Sequence, residues 1–573
     1  MPVHNNDIAE VFNTLADLLE IKGENPFRVR AYREAARTIS GLSHSVADML
    51  EEGRDLAELP GIGKDLAGKI EEIVKTGKLG MFEDLTKEMP GELSELMQVS
   101  GLGAKRVARM YQELDIRSLD DLRQAAEQGR LAELEGFGDE TQKKILDEIQ
   151  RLRREETQRT RLVIAAQYAE PLMAYLRRAK GVKNLTIAGS YRRRRETVHD
   201  LDILATCKRG STVMDHFVNY DEVKKVVSHG KTRSTVLLRS GLQVDLRVVP
   251  QVSYGAALVY FTGSKPHNIA IRKRAVRKKL KINEYGVFRG DGRIAGRTEE
   301  EVYDTLGLSW IPPELRENRG EVEAAEKGTL PTLVELGDIQ GDLHVHTNYT
   351  DGRHTLEQMA RAAQKRGYKY LAISDHSQRI TVAHGLTPKA LREQIDKIDK
   401  LNDKLKGFTV LKAIEVDILA DGRLDLPDEV LKELDLRVCS IHSKFNLSRT
   451  EQTERLLRAM DNPYFNILAH PTGRLIGERE AYELDMERVM EHAVANGCFL
   501  ELNAHPERLD LDDSHCRMAK DKGLKVVVST DAHSTEDLAY MAYGVGQARR
   551  GWLEADDVLN SRSLKDLRTL LRR

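Results

Sequence analysis

From Ile339 onward, apolar runs of strand length end one after another in histidine, aspartate or glutamate. I-Q-G-D-L-H-V-H gives His344 and His346, Y-L-A-I-S-D-H gives Asp375 and His376, and L-K-A-I-E gives Glu415. V-C-S-I-H gives His442, N-I-L-A-H-P gives His470, and K-V-V-V-S-T-D-A-H gives Asp531 and His533. Any one of these alone is an ordinary polar residue at a strand end. The repetition is what constrains the fold. The runs alternate with helical patterns, which predicts parallel strands joined by helices. In a parallel barrel all strand C-termini open on one face, so these side chains converge there. The spacing H-x-H places two imidazoles on one side of a strand. Eleven of the 17 histidines follow Gly337, and metal ligation is the usual reason for such crowding.

The rest of the 573 residues has a different texture, and a chain this long predicts roughly three or four domains. Charged residues make up 31% and apolar residues 40%, which excludes a wholly disordered chain. No apolar run approaches the roughly 20 residues that span a bilayer. Acidic residues from Asp7 to Glu24 exclude a secretory apolar segment. The four cysteines are scattered without a C-x-x-C pair, which points to a reducing cytoplasm and away from a zinc ribbon. A net charge of −2 excludes a uniformly basic nucleic-acid binder but leaves room for basic patches.

Residues 7–155 read as short amphipathic helices. L-P-G-I-G-K, V-S-G-L-G-A-K-R and L-E-G-F-G-D-E each set Gly-x-Gly before a helical pattern. Glycine permits the tight turn. The turn then aims backbone N–H groups and a helix N-terminus at one point, which suits a phosphate oxygen. Three copies in one frame look like helix-hairpin-helix elements, which grip DNA backbones without reading sequence. Gly61, Gly63, Gly101 and Gly103 are the expected DNA contacts. Asp139 and Glu140 in the third copy make an anion less welcome, so packing is expected there.

From Asn184 strands begin. Asp200 and Asp202 lie two apart, on one face of a strand. A second strand pair, turning at Ser240-Gly241, carries Asp245 inside an apolar run. At an effective dielectric near 20, two charges about 4 Å apart repel by about 4 kcal/mol. Such a cluster takes up protons or binds cations, and carboxylate-held Mg²⁺ is a device for phosphoryl transfer. Gly189-Ser190 and the arginines 192–195 precede it, offering N–H groups, a hydroxyl and charge to phosphates.

Gly-Ser-x-Arg-Arg, then Asp-x-Asp, then a strand aspartate flanked by Arg247, resembles the palm of family-X DNA polymerases. Y-F-T-G-S, Asn268 and Arg272 resemble that family's sugar-discriminating turn and minor-groove contacts. The resemblance covers about residues 1–318. It implies that Asp200, Asp202 and Asp245 hold Mg²⁺ or Mn²⁺ and are catalytic. Gly189, Ser190, Arg193, Tyr260, Phe261, Gly263 and Asn268 would then bind the deoxynucleoside triphosphate. Tyr260 and Phe261 would crowd the sugar's 2′ position, on a strand ending in a tight turn. Arg272 opens a run with seven basic residues and no acid, expected to follow a template backbone. Lys265 stands where the vertebrate repair enzyme has an acid. Lys69 falls at that enzyme's lyase lysine, but Asp65 and Arg28 replace lysines there, and Asp65 works against the depressed amine pKa a lyase needs.

The carboxy-terminal series resembles the polymerase-and-histidinol-phosphatase (PHP) domain, a distorted (β/α)7 barrel with three metals, over about residues 339–573. By that resemblance His344, His346, Glu415 and Asp531 bind the first metal. Glu415, His442 and His470 bind the second, and Asp351, His376 and His533 the third. Mn²⁺ or Zn²⁺ suits such ligands. His505 lies outside the pattern.

The expectation is a multidomain α/β protein. It comprises an N-terminal helical domain (1–85), a second helix-hairpin-helix subdomain (86–155), a polymerase-beta-like nucleotidyltransferase palm (156–255), a thumb (256–318), a linker (319–338) and the PHP domain (339–573). The expected activity is DNA-directed DNA synthesis filling short repair gaps, with a 3′-5′ exonuclease or 3′-end and abasic-site processing activity. Gapped or primer-template DNA is the partner, and a cytoplasmic, nucleoid-associated monomer is expected. The alternatives are a template-independent or ribonucleotide-adding transferase, a DNA-binding protein with only a phosphatase activity, and a metabolic phosphatase. The aspartate triad, Tyr260-Phe261 and the hairpin set argue against them.

Overall fold

The computed structural model describes the chain except residues 1–4, 42–45, 52, 60, 98, 100, 101, 135, 136, 138–140, 147, 148, 150–158 and 573. Short helices make the N-terminal region. Asn5–Lys22 packs along Pro26–Gly41, with Phe12 edge-on to Tyr32 at 5.5 Å. Ile8, Phe12, Leu15, Leu19, Ile70 and Val107 belong to one buried core that runs from the first helix to Ile149. Gly63 and Gly103 stand directly before the helices Lys64–Thr76 and Ala104–Leu114, as expected. Gly61 has φ +66°, the left-handed turn that favours glycine. Gly101 and most of the third Gly-x-Gly segment lie outside the described residues.

The palm is a five-stranded sheet in the order 182–187, 200–207, 243–248, 233–238, 223–229. The strand Asp200–Cys207 runs parallel to Gln243–Val248. The hairpin from Arg233–Leu238 to Gln243–Val248 turns at Ser240-Gly241, where Gly241 has φ +83°. Leu201, Ile203, Val244 and Leu246 are fully buried, so the alternating pattern turns the aspartates toward the opposite face.

Two expectations need correction. The segment carrying Tyr260 and Phe261 is the helix Tyr254–Thr262, not a strand. Its apolar residues are continuous rather than alternating, and Ala256, Ala257 and Val259 pack into two cores at once. Residues 319–338, expected as a linker, hold the helix Glu321–Lys327. Glu321 is fully buried and accepts from the amides of Asn318 and Arg319, and lies 2.6 Å from His267 Nδ1. The polar composition that suggested a linker is an internal network. Arg316, also fully buried, donates to Glu299 and to the carbonyl of Ile311.

After residue 338 every ladder pairing is parallel, in a three-stranded and a five-stranded sheet. Thr409–Lys412 and Glu415–Asp417 are two pieces of one interrupted run that joins them. The amides of Ala413 and Glu415 still bond to Ile373 and Ser374. Val345 bridges Ala532, so the last strand returns to the first. The strand C-termini therefore share one face. Ion pairs cross between the regions: Arg161 with Glu507 at 2.8 Å, Arg474 with Glu196 at 2.7 Å, and Arg54 with Glu536 at 3.0 Å.

Candidate functional site

Two sites occupy separate parts of the chain. In the palm, the ladder sets Asp202 opposite Asp245, so both carboxylates leave the same face. Gly189, at φ +61°, lies so close that a Cβ there would sit 2.7 Å from Asp202 Oδ2. Only glycine lets the Gly-Ser turn press on the carboxylates. Burial, then repulsion from Asp200 and Asp245, pushes the Asp202 carboxyl up to about 7. A cation relieves both effects. Asp245 Oδ1 accepts from Thr235 at 2.6 Å and Arg233 at 3.1 Å, and Oδ2 from Gln243 at 3.0 Å. Arg233 is half-exposed and free to yield its place.

Arg193, expected on the phosphates, is held from behind. It donates to the carbonyl of Thr262 and pairs with Glu317 at 3.1 Å. Gly263, at φ +66°, lets Arg193 pass: a Cβ there would stand 3.3 Å from Nη1. Tyr260 and Phe261 meet edge-on at 4.9 Å. Arg272 lies over Tyr260 and Arg247 over Phe261. Asn268 donates to the Tyr260 carbonyl at 2.7 Å, which fixes the end of that helix.

In the C-terminal region, Glu415 is the hub. Its oxygens lie 2.7 Å from His376, 3.2 Å from His470, 3.3 Å from His442, 3.5 Å from His344 and 3.6 Å from His346. Asp351 reaches His376 at 3.2 Å and His533 at 3.4 Å, and Asp531 reaches His346 at 3.2 Å. All nine expected ligands thus gather in one cluster. Ligand-type atoms close enough to share an ion form three sets: His346, Asp351, His376 and His533; His344, His346 and Asp531; and His376, Glu415 and His442. The shared members His346 and His376 differ from the expected partition. Among the described residues the palm aspartates form no set this tight.

The cluster fits cations. The Nε2 of His344 and both ring nitrogens of His346 are buried with no hydrogen-bond partner, a costly state unless a ligand uses them. Burial alone would favour a neutral His344, but Glu501, Asp531 and Glu415 outweigh it and push its pKa well up. Imidazole and carboxylate donors together suit a borderline divalent metal.

Residues 257–317 match the DNA polymerase beta thumb family, and 342–505 the PHP domain. Residues 3–79 match a helix-hairpin-helix domain and 93–151 a SAM-like helix-hairpin-helix tandem. The DNA polymerase/3′-5′ exonuclease PolX of Bacillus subtilis (strain 168) is 40% identical over 575 residues, covering 100% of both chains. The chain belongs to the family-X DNA polymerases with a PHP domain. DNA polymerase lambda of Arabidopsis thaliana is 28% identical over 55% of this chain and 62% of its own. A probable phosphatase of Thermoanaerobacter sp. (strain X514) is 29% identical over 38% of this chain and 89% of its own.

This family-X chain also holds residues that sequence reasoning missed. Glu501 lies 2.7 Å from His344 Nδ1 and accepts from the His470 amide at 2.7 Å. Its signal was an acid inside the apolar run F-L-E-L-N, since a buried charge needs a partner. Asp375, singled out in the sequence at the end of an apolar run but given no place in a ligand set, accepts from Thr347, Thr350 and Gln394 and so shapes the loop before Asp351. Arg508 lies 3.6 Å from Asp531. His505 accepts from the Glu507 amide and packs on Tyr540, outside the ligand sets. Lys69 is ion-paired with Asp65, and a bound ammonium is a poor Schiff-base nucleophile. No helix among the described residues is long and apolar enough to cross a membrane.

Proposed function

We propose that the chain fills short gaps in DNA from deoxynucleoside triphosphates and trims 3′ ends in its PHP domain. It does so as a monomer in the cytoplasm, on nucleoid DNA. The observation that carries the reading is the contact between the glycine turn and Asp202, which unites a phosphate cradle with a carboxylate cluster. Gly189 and Ser190 offer the turn to the β and γ phosphates, with Arg193 behind them. Asp200, Asp202 and Asp245 concentrate negative charge where a triphosphate and cations meet. Tyr260 and Phe261 wall the sugar, and Gly61, Gly63, Gly101, Gly103 and Arg272 follow the DNA backbone without base readout.

In the PHP domain Glu415 joins the imidazoles into one group, and Glu501 orients His344. Bound cations, Mg²⁺ or Mn²⁺ at the aspartates and Mn²⁺ or Zn²⁺ in the PHP cluster, supply Lewis acidity toward phosphoryl oxygens.

The test is a labelled gapped duplex, with and without nucleotides. Asp245→Ala abolishes extension and keeps degradation; His344→Ala does the reverse and lowers metal content. Loss of both activities in one folded variant contradicts two separate sites.

A further inference from the structure

Beside the metal cluster a groove of about 600 Å³ runs between the helix Pro388–Asn402 and the loop that precedes Asp351. Lys397, Lys400 and Lys404 edge it, and Leu356 and Leu401 form part of its floor. Lys397 and Lys400, three residues apart, share one helix face, and Lys404 follows in the turn just beyond the helix end at Asn402. All three are exposed, and among the described residues no carboxylate forms an ion pair with any of them. A neighbouring acid on the rim, Glu357, is already paired with Arg361 at 2.6 Å. The three lysines outnumber the one acid that lines the groove, Glu357, although Glu393, one turn earlier on the helix, also acts on Lys397.

Its position is tied to the metal cluster. Gln394, one helical turn before Lys397, donates to Asp375 at 2.6 Å. Asp375 in turn accepts from Thr347 and Thr350, which flank Tyr349 and lead into Asp351. Lys397 Nζ sits 4.9 Å from the centre of the Tyr349 ring, which fixes the end of the lysine row nearest the ligands. Nothing in synthesis at the palm uses these residues.

We propose that this groove is the track along which the single-stranded 3′ segment of DNA enters the PHP site, its phosphates following Lys397, Lys400 and Lys404. The inference rests on the reading that the PHP site hydrolyses DNA ends. A solvated lysine face would serve as well for solubility, but it would not need a helix pinned to the ligand loop. The contact is to phosphates, so it is blind to base sequence. For single strands, log affinity falls with log salt by about 0.7 per phosphate neutralised.

The test uses the full-length, Mn²⁺-loaded protein and two probes: a 5′-labelled single-stranded oligonucleotide and bis(p-nitrophenyl) phosphate. Removing two phosphate contacts with Lys400→Gln/Lys404→Gln raises the KM for the oligonucleotide about tenfold near 0.15 M salt and lowers the salt slope by about 1.4. The rise is the same for oligothymidylate and a mixed sequence, and hydrolysis of the small diester is unchanged. Lys400→Arg/Lys404→Arg restores the oligonucleotide KM. An unchanged KM and salt slope in the glutamine variant overturns the track, as does an arginine variant that behaves like the glutamine one. A wild type that cleaves the small diester but no oligonucleotide overturns the underlying reading of the site instead, and the track with it.

Discussion

Arg550, at the end of the PHP helix Met541–Arg550, donates to the backbone carbonyl of Arg193 at 2.9 Å. The two guanidinium groups share Glu317, at 3.1 Å from each, and Arg550 also pairs with Asp513 at 2.5 Å. The PHP domain thus reaches the turn expected to hold the triphosphate. Removing Arg550 leaves Glu317 to Arg193 and, at 3.9 Å, Arg195. Arg550→Ala is expected to raise the nucleotide KM by up to about tenfold, the scale of one charge-assisted hydrogen bond. PHP hydrolysis should be kept, and Arg550→Lys should recover part of the loss. Steady-state gap filling with and without the variant checks this; an unchanged KM makes the contact purely structural.

Glu299 offers a test of the thumb's stability. It accepts from Arg192 at 2.7 and 2.8 Å and from Arg316 at 2.7 Å. Burial alone would raise its pKa, but Arg316 and Arg192 outweigh it and hold it at about 2. A carboxylate depressed in the fold stabilises above its unfolded pKa, near 4.5, and loses that contribution as pH falls from there to about 2. The difference corresponds to about 3 kcal/mol. Glu299→Gln should therefore be less stable than wild type at neutral pH, with the gap closing through that window. Urea melts at pH 7 and pH 3 measure it; a constant gap rules the ion pair out as its source.

Glu501 is the third case. It contacts the His344 ring and the His470 amide, so on the proposed reading it acts through the metal ligands without being one. Glu501→Gln is expected to cost about 10- to 100-fold in metal affinity or hydrolysis, while Glu415→Gln, at the hub, should abolish hydrolysis. Metal titration of both variants, beside a gap-filling assay that stays normal, separates these roles. A Glu501→Gln variant with unaltered metal affinity would place the residue in packing only.

The contrast between Glu415 and Glu501 shows what was legible in the sequence. Glu415 ends an apolar run in line with the histidines, so parallel-strand geometry alone sends it to the common face. Glu501 sits inside a run, where only its tertiary partner His344 explains it. Asp200, Asp202 and Asp245 were readable because strand alternation fixes their face. That Asp202 and Asp245 would be ladder partners depended on strand order, which no local pattern encodes. The helix Tyr254–Thr262 read as a strand because V-Y-F is rich in strand-forming residues, and packing on two sides overrode that preference. Residues 319–338 read as a linker because buried polar networks and solvated loops share a composition. Glu321 is charged for His267 and Arg316 for Glu299, not for water.

The helix at Tyr260 also sharpens the sugar question. A wall of apolar atoms rejects an added hydroxyl by no more than about a hundredfold unless it blocks the atom sterically. Such a block needs a fixed backbone. The helix supplies one, ending at Gly263, with Asn268 holding the Tyr260 carbonyl at 2.7 Å and Arg272 lying over the ring. Tyr260 is half-buried rather than sealed in a core, so its ring has a free side to meet a substrate. Tyr260→Ala is expected to lower the preference for deoxynucleotides about tenfold or more while gap filling persists. Asn268→Ala should act in the same direction more weakly, by loosening the carbonyl. The measurement is incorporation efficiency for matched deoxy and ribo substrates on one gapped duplex. If both substrates lose efficiency in equal proportion in the folded Tyr260→Ala protein, the ring supports the helix and does not select the sugar.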